Sequence, residues 1–306
     1  MPYKKNNIRR IHSNGCSWLL AMSLLIFSSL TYGQDTSESE DHNDKSPLVK
    51  DDFQWQFSLD FSFVYAPKII AGIEQEKLSH YFMPGVLIDI SYKGFFLQTN
   101  QRRSSVLLGG TEFGYQLIVE NDWQVDLIAK AYMPGYDFEL LIESGSGDNE
   151  LLAGLKERQG TGGVAIRYSK YLQNSLFLID LAYGSAGDDV NGNLVGGLII
   201  DSFYSYLLPY KNWDIYLGAG LTYFDQNIIN YYIGVGSNEV ADKRPEYTAK
   251  AGFRGQAEVY AQYPLSASWS FHAGITHSVF SNNVKESPLV DTNKESQVML
   301  GVLYVF

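Results

Sequence analysis

The feature that most constrains this chain is a strict two-residue alternation that begins at Phe53. Large apolar side chains occupy every second position over the thirteen residues 53–65, and nearly all the positions between them are polar. A period of two puts the apolar side chains on one face of a β-strand, whereas a helix would spread them around its axis. Strands that cross a membrane have this pattern, with apolar side chains toward lipid and polar ones toward the lumen. Residues 53–65 therefore predict a membrane-facing strand.

The same alternation recurs to the end of the chain, and the connections between its repeats alternate in length. Short polar turns fall at 93–94, 120–122, 172–174, 209–212 and 264–266. Longer connections fall at 66–80, 101–104, 134–160, 186–192, 225–248 and 281–294. In outer-membrane barrels the short turns face the periplasm and the longer loops face the outside. We therefore predict an all-β fold over 53–306, a transmembrane, antiparallel, up-and-down β-barrel of about 12 strands with both ends in the periplasm.

The alternative fold is a secreted, soluble β-sandwich or lectin-like barrel, which also has alternating strands and glycine-rich turns. Here, however, one face of nearly every strand is free of charge, and the last strand ends on an aromatic residue. Hydrocarbon requires such an uncharged wall and a closed sheet without unpaired edges. Both features favour the membrane barrel.

The first 52 residues differ in composition from the rest of the chain. Residues 1–33 combine a basic start, an apolar run at 18–30 and small residues at 31 and 33, which predicts a cleaved signal peptide and export to the cell outer membrane. The apolar run is shorter than the roughly 20 residues that a membrane-spanning helix needs. Residues 34–52 hold seven acidic residues, two lysines and no aromatic residue, which predicts a disordered acidic leader in the periplasm.

Catalytic, cofactor-binding and metal sites are not predicted anywhere in the chain. The single cysteine, Cys16, lies in the predicted signal peptide. His272 and His277 are five positions apart on one strand and so face opposite sides, and Ser278 faces away from His277. The net charge of −11 excludes electrostatic binding to nucleic acid. We expect a protein without cofactors that is not an enzyme, with an outer-membrane enzyme as the alternative.

Charged side chains at the polar positions of the strands are predicted to face the lumen. They are Asp60, Asp89, Asp126, Lys130, Arg167, Asp180, Asp201, Arg254 and Glu258. Such charges either form salt bridges across the lumen or give a weakly cation-selective pore. Because a barrel of about 12 strands is narrower than the water-filled porins with 16 or more, the pattern favours a plugged or slow pore.

The last predicted strand, 298–306, has one unbroken apolar face that includes Val302, Tyr304 and Phe306. It is expected to pair with the first strand, because an open edge in hydrocarbon would leave backbone groups without hydrogen-bond partners. Resemblance to outer-membrane barrels in general implies that these three side chains also form a signal read by the barrel-assembly machinery.

Several short motifs resemble those of the MipA/OmpV family of outer-membrane proteins. The clearest are Tyr231 to Val235, Glu239, Arg244 to Tyr247, Ala249, Gly252, Ser287 to Val290 and Gly301 to Phe306. Residues 92–97 resemble an early hairpin of the family, and residues 155–158 followed by Gly162 and Gly163 resemble a central loop and the strand after it. The first long connection departs from the pattern, because 66–72 keeps only the outline of the family's P-x-Y-x-G-S element.

The resemblance implies a role in the cell envelope rather than a reaction. The family's namesake is described as a scaffold that joins a murein transglycosylase to a murein (peptidoglycan) synthase, and other members are implicated in adhesion, osmotic response or antibiotic permeability. We therefore expect an outer-membrane scaffold whose partners are membrane lipid, the barrel-assembly machinery and those murein enzymes. The alternative is a narrow solute channel or a porin-like permeability or adhesion protein.

Overall fold

A computed structural model describes residues 53–73, 81–99, 110–143, 147–188 and 193–306. The predicted signal peptide, 1–33, and the predicted acidic leader, 34–52, lie outside these described residues. Both therefore stay predictions.

Twelve antiparallel strands form one closed barrel in the described part of the chain. Their bounds are β1 Gln54–Tyr65, β2 Phe82–Tyr92, β3 Phe95–Thr99, β4 Thr111–Val119, β5 Trp123–Met133, β6 Thr161–Leu172, β7 Ser175–Asp188, β8 Leu194–Tyr210, β9 Trp213–Phe224, β10 Gly252–Pro264, β11 Trp269–Phe280 and β12 Lys294–Val305. Each strand pairs with the next one along the chain, and β12 returns to pair with β1. The predicted all-β, antiparallel, up-and-down barrel and its strand number are confirmed.

Pairing between β1 and β12 closes the barrel as the edge argument predicts. Ser58 lies opposite Val305, and Tyr65 lies opposite Val298. Beyond the strand, the Phe306 N–H donates to the Phe57 carbonyl at 3.2 Å. The backbone groups of both strand edges are thereby paired, which a sheet in hydrocarbon requires.

The two faces of each strand differ in exposure. In β1, Phe63 is exposed whereas its neighbours Ser62 and Val64 are buried, because successive side chains point to opposite faces of a strand. Exposed apolar side chains of this kind form the outer wall of the barrel, as contact with lipid requires. Aromatic pairs such as Trp269 and Tyr304, with ring centroids 4.9 Å apart, lie near one end of this wall. They suit an interfacial aromatic girdle.

Short turns connect the strands at one end of the barrel, the short-turn end, and long connections at the other, the long-loop end. Between β2 and β3 the turn consists of Lys93 and Gly94, whose φ angles of 50° and 84° are both left-handed. A two-residue hairpin turn of the common type requires positive φ at both positions, and its twist matches that of the flanking strands.

The described helices all lie in the connections of the long-loop end. They are α1 Phe138–Glu143, α2 Asn149–Leu152, α3 Gln226–Ile233 and α4 Asn282–Lys285. Among the described residues, no helix has both the length and the apolar character needed to cross a membrane.

Candidate functional site

Ion pairs occupy the middle of the lumen, and Arg167 is at their centre. Arg167 on β6 lies directly opposite Asp180 on β7. Its Nε and Nη2 donate to the two carboxylate oxygens of Asp180 at 2.7 and 3.0 Å. Its Nη1 and Nη2 donate to the carboxylate of Glu112, on β4, at 2.5 and 2.9 Å. One guanidinium thus binds two carboxylates, each in the bidentate geometry that gives the strongest hydrogen bonds of this kind.

Lys130 and Thr222 extend this group toward β10. The Lys130 Nζ lies 2.7 Å from Asp180 Oδ2 and 3.0 Å from Asp201 Oδ2. The Thr222 hydroxyl donates to Asp201 Oδ1 at 2.7 Å and accepts from Arg254 Nη2 at 3.2 Å. We call this group the lumen network and define it as Glu112, Lys130, Arg167, Asp180, Asp201, Thr222 and Arg254. Its contacts continue from β4 to β10.

Every side chain of the lumen network is buried, with relative exposures between 0% and 7%. Charges at this depth are tolerated only when they are paired and hydrogen-bonded, because each has lost its hydration. The network meets that condition, because its charged groups are paired and hydrogen-bonded.

The nine charges expected in the lumen fall into several settings. Five of these nine belong to the lumen network, namely Lys130, Arg167, Asp180, Asp201 and Arg254. Asp60, Asp126 and Glu258 are also buried. Asp89 pairs across the strands with Gln56 near the short-turn end and is exposed. Alternation predicts the face on which a side chain lies but not its depth along the barrel, which accounts for Asp89.

Glu112 is a network carboxylate that the sequence analysis did not name. It alternates with the exposed Phe113, and Gly114 and Gln116 follow on the same inward face. The period-two pattern used for the other strands would have found it, since β4 has the same alternation.

A second buried polar group joins β1 to β11 across β12. The Ser62 hydroxyl donates to Asp60 Oδ1 at 2.7 Å, and His272 Nε2 lies 2.9 Å from Asp60 Oδ1 and 3.1 Å from Ser62 Oγ. Gly301 on β12 permits this approach, because a Cβ there would overlap Ser62 Oγ and the Phe61 carbonyl.

This Ser–His–Asp group lacks the geometry of a nucleophilic triad. In such a triad the carboxylate binds Nδ1, while Nε2 is left to take the serine proton. Here both Asp60 and Ser62 are next to Nε2, and His272 Nδ1 has no hydrogen-bond partner among the described residues. Nor does the described part of the chain group three or more His, Cys, Asp or Glu side chains to hold a metal ion.

The long-loop end is covered by a cap, defined here as the described residues of 134–160, 225–251 and 281–293. The inward side of α3 buries Ile228 and Tyr232 in one hydrophobic cluster with Leu152 and Leu289 from the other two connections. Asp225 begins α3 by accepting a hydrogen bond from the Asn227 N–H at 2.8 Å, which stabilises the helix start. Three connections far apart in sequence therefore share one apolar core.

A buried ion pair holds two of these connections together. Arg158 Nη1 and Nη2 donate to the Glu239 carboxylate at 3.0 and 2.9 Å. The Lys156 N–H donates to the same carboxylate at 3.1 Å. Burial opposes ionisation of Glu239, but the hydrogen bonds from Arg158 and Lys156 outweigh it and lower the pKa of this carboxyl below its ordinary value. The carboxylate is therefore charged and paired at neutral pH.

Arg244 fastens the same two connections through the backbone. Its guanidinium donates to the carbonyls of Leu151, Ala153 and Glu239, the last at 2.6 Å. An arginine suits this position because its planar fork carries five donors. Arg244 thus satisfies one carbonyl group in the last turn of α2, one directly after it, and one in the connection that holds Glu239.

Two buried hydroxyl groups also form hydrogen bonds between parts of the cap. Tyr232 donates to the Gln159 carbonyl at 2.8 Å, and burial raises its pKa to about 12. The Ser287 hydroxyl donates to the Ile233 carbonyl at 2.6 Å, which ties the third connection to the end of α3. Both hydroxyls are thus donors within the cap.

The first long connection packs under this cap. Ile69 and Ile70 are buried in the cap cluster, and the Ala71 N–H donates to the Leu289 carbonyl at 2.8 Å. This is the segment that departs from the family pattern in sequence. It supports the cap through apolar burial and backbone pairing, which do not depend on the missing polar motif.

Most of the motif residues that carried the family resemblance lie in the cap. Arg158, Tyr232, Glu239, Arg244 and Ser287 make the contacts just described. Sequence reasoning singled these residues out by resemblance alone and did not predict that they meet. They belong to connections without hydrophobic periodicity, so only the folded chain reveals the cap.

A closed antiparallel barrel with an apolar outer wall and a buried ionic interior defines an outer-membrane β-barrel protein. The sequence model of one family, described as MltA-interacting protein MipA, matches residues 62–306. The chain belongs to this family, as its motifs indicated.

Two relatives show how far the similarity extends. The MltA-interacting protein of Escherichia coli (strain K12) is 24% identical over 170 residues, which are 53% of this chain and 62% of that protein. The outer membrane protein OmpV of Vibrio cholerae is 27% identical over 108 residues, 35% of this chain and 39% of that protein. A solved structure of outer-membrane expressed OmpT of Vibrio cholerae aligns at a TM-score of 0.40 and 8% identity, covering 83% of this chain and 97% of that one.

Proposed function

We propose that this protein is a non-enzymatic scaffold that holds a murein transglycosylase and a murein synthase at the outer membrane. The observation that carries the proposal is closure at two levels. The lumen network is buried in the middle of the barrel, and the cap covers the long-loop end. A barrel closed in this way offers its rims and its tail to partners, rather than a passage to solutes.

The contact surface in this proposal is the short-turn end together with residues 34–52. Short turns face the periplasm in outer-membrane barrels, where murein lies. The leader carries seven acidic residues and two lysines, so it offers an anionic segment to a basic partner surface.

The name of the E. coli relative supports the choice of partner. That protein is called MltA-interacting protein, and the match covers 62% of its length at 24% identity. We extend the interaction to this chain as a proposal, because the family is shared over 62–306.

A co-purification experiment tests the scaffold. The full-length tagged protein is extracted from envelope membranes, and retained murein hydrolases and synthases are identified by mass spectrometry. A variant without 34–52 should reach the outer membrane at the normal level, because that segment contributes little apolar burial, and should retain less of both enzymes. If the wild-type barrel retains neither enzyme above an unrelated barrel, the scaffold proposal is wrong. Unchanged retention without the leader would move the contact to the short turns.

A narrow channel is the second candidate, and the ionic lining of the lumen favours it. Charged side chains of both signs lie in the middle of the lumen, and charged side chains line the selective pores of ion channels. Planar-bilayer recording separates the two functions. The closed lumen predicts no discrete conductance steps for the wild type, and stable steps with cation selectivity would establish the channel instead.

A further inference from the structure

Between the cap and the ends of β7 and β8 lies a half-open cleft of about 490 Å³, a volume typical of small-ligand sites. One wall comes from the outer face of the barrel, where Tyr183 is 67% exposed and Leu194 is also exposed. The other wall comes from α3 and the chain after it, including Tyr231 and Tyr247. The cleft therefore lies where the cap meets the outer face of the barrel.

A buried arginine with an unused donor lines this cleft. Arg158 is only 6% exposed, and its Nη atoms are bound to Glu239. Its Nε–H has no hydrogen-bond partner among the described residues. A buried donor without a partner costs free energy, so an acceptor oxygen that reached Arg158 from the cleft would be favoured.

The charges around the cleft cancel. Lys156 and Arg158 contribute two positive charges, and Glu239 and Glu246 contribute two negative ones. A phosphate or carboxylate ligand would meet the two glutamates, whereas a neutral molecule would not be repelled. The electrostatics therefore select a neutral ligand that can both donate and accept hydrogen bonds.

Aromatic rings supply the apolar part of the cleft. The Tyr231 hydroxyl accepts from the Gln159 N–H at 2.8 Å, and the Tyr247 hydroxyl donates to the Asn283 carbonyl at 2.5 Å. With their hydroxyl groups bound inside the cap, both rings are held in place at the cleft. A pyranose presents a face of C–H groups that packs on such rings and a rim of hydroxyl groups that bind polar side chains.

We propose that this cleft is a saccharide-binding site that takes a neutral hexose-type oligosaccharide. Lipopolysaccharide core sugars and free glycans outside the cell both present this chemistry. The proposal uses the orientation given above, with the long-loop end outward, and is independent of the scaffold function. Tyr183 then offers an exposed ring to the face of the sugar, and Glu246 and Lys156 are hydrogen-bonding partners for hydroxyl groups.

Binding of two probes to the full-length, detergent-solubilised protein tests this site. The probes are a neutral hexose oligosaccharide with the outer-core structure of lipopolysaccharide, free of phosphate and carboxylate groups (the core oligosaccharide), and chitotriose. Titration calorimetry and saturation-transfer NMR measure binding for the wild type and for Tyr183→Ala and Glu246→Gln. Tyr204→Ala is the matched control, because Tyr204 is also an exposed tyrosine on the outer face but does not line the cleft.

The expected result is saturable binding of at least one probe, weakened about tenfold or more by Tyr183→Ala and Glu246→Gln and unchanged by Tyr204→Ala. Binding of the core oligosaccharide alone identifies lipopolysaccharide as the source of the ligand, and binding of chitotriose identifies free glycans. No saturable binding of either probe overturns the proposal. Equal affinity in Tyr183→Ala and Tyr204→Ala, or displacement of the sugar by inorganic phosphate alone, also overturns it.

Discussion

At the scale of single residues, the lumen network shows that the contribution of buried charges to stability belongs to the group and not to each charge separately. Arg167 is hydrogen-bonded to both Glu112 and Asp180, and Asp180 is also paired with Lys130. A buried ion pair adds little net stability compared with apolar residues of the same shape, but removing one partner leaves an unpaired charge behind. Removing any one member should therefore destabilise the barrel strongly, even though the intact network adds little net stability.

Arg167→Met is expected to destabilise the barrel strongly. The substitution keeps an unbranched side chain but removes the guanidinium, and it leaves two buried carboxylates without their main donor, which typically costs about 3–5 kcal/mol. Chemical unfolding of the detergent-solubilised protein measures the loss. Lys170→Met is the matched control on the same strand, because the Lys170–Asp122 pair is partly exposed and should contribute no more than about 1 kcal/mol. Equal stability of the two variants would contradict a structural role for the network.

At the scale of elements, the cap depends on one ion pair between two connections. Arg158 and Glu239 join residues that are far apart in sequence, and the apolar cluster around α3 packs beside them. Because the folded pKa of Glu239 lies below its ordinary value, this pairing adds stability above the ordinary pKa of 4.5. That stability is lost as the pH falls through the lower, folded value.

The cap should therefore loosen in acid. Hydrogen exchange of amides in 225–251, corrected for intrinsic rates, should show constant protection at neutral and mildly acidic pH and a drop below pH 4.5. Glu239→Gln should lower protection already at neutral pH and remove this part of the acid dependence. Glu150→Gln is the control, since the Glu150–Lys243 pair is exposed. An acid response of 225–251 that is identical in Glu239→Gln and wild type would refute the assignment to Glu239.

The terminal strand is the second element with a testable role. Phe306 packs edge-on against Tyr304, with centroids 4.9 Å apart, and is 57% exposed on the outer side of the short-turn end. In the proposed assembly signal of Val302, Tyr304 and Phe306, the Phe306 side chain is also needed for recognition by the assembly machinery, and not only for packing. A charge near the interface by itself costs only about 0–1 kcal/mol.

Phe306→Asp should thus reduce the amount of folded barrel in the outer membrane much more than this local cost explains. Heat-modifiable protein in outer-membrane fractions is the measurement, and accumulation and degradation in the periplasm are the expected fate. Phe306→Trp, which keeps an aromatic side chain, should assemble normally. A normal level of folded Phe306→Asp barrel would show that this side chain is not part of an assembly signal.

At the scale of the whole molecule, the orientation of the barrel determines which partners can reach each end. The proposed orientation rests on the difference in length between the two sets of connections. Cysteine labelling can test it cleanly, because the single cysteine of the chain, Cys16, lies in the predicted signal peptide.

Asp242→Cys in the cap should react with a membrane-impermeant maleimide on intact cells. Asn212→Cys, in the turn between β8 and β9, should react only after the outer membrane is permeabilised. Both positions are exposed, so a difference in labelling reports the side of the membrane rather than burial. The reverse pattern would place the cap in the periplasm and remove the basis for an external saccharide site.

The amino-acid sequence by itself determined the strands, their number and the face on which each side chain lies. The reason is local, because alternation along a strand follows from backbone geometry and needs no knowledge of neighbours. Asp126 and Arg254, which alternation assigns to the polar face of their strands, are buried in the structure, and the expected pairing of the last strand with the first is present. The exposure of Asp89 did not follow from alternation, because the position of a residue along the barrel axis depends on the registers of all the strands.

Only the tertiary structure decided which side chains meet. Strand register puts Arg167 beside Asp180 and brings Glu112 to both, and it joins Asp60 to His272 across a glycine of β12. The cap is even less predictable from sequence. Its ion pair and apolar core join connections that have no hydrophobic periodicity and that are separated in sequence by many strands. Contacts of this kind arise from chain closure over long sequence separations, which no local pattern encodes.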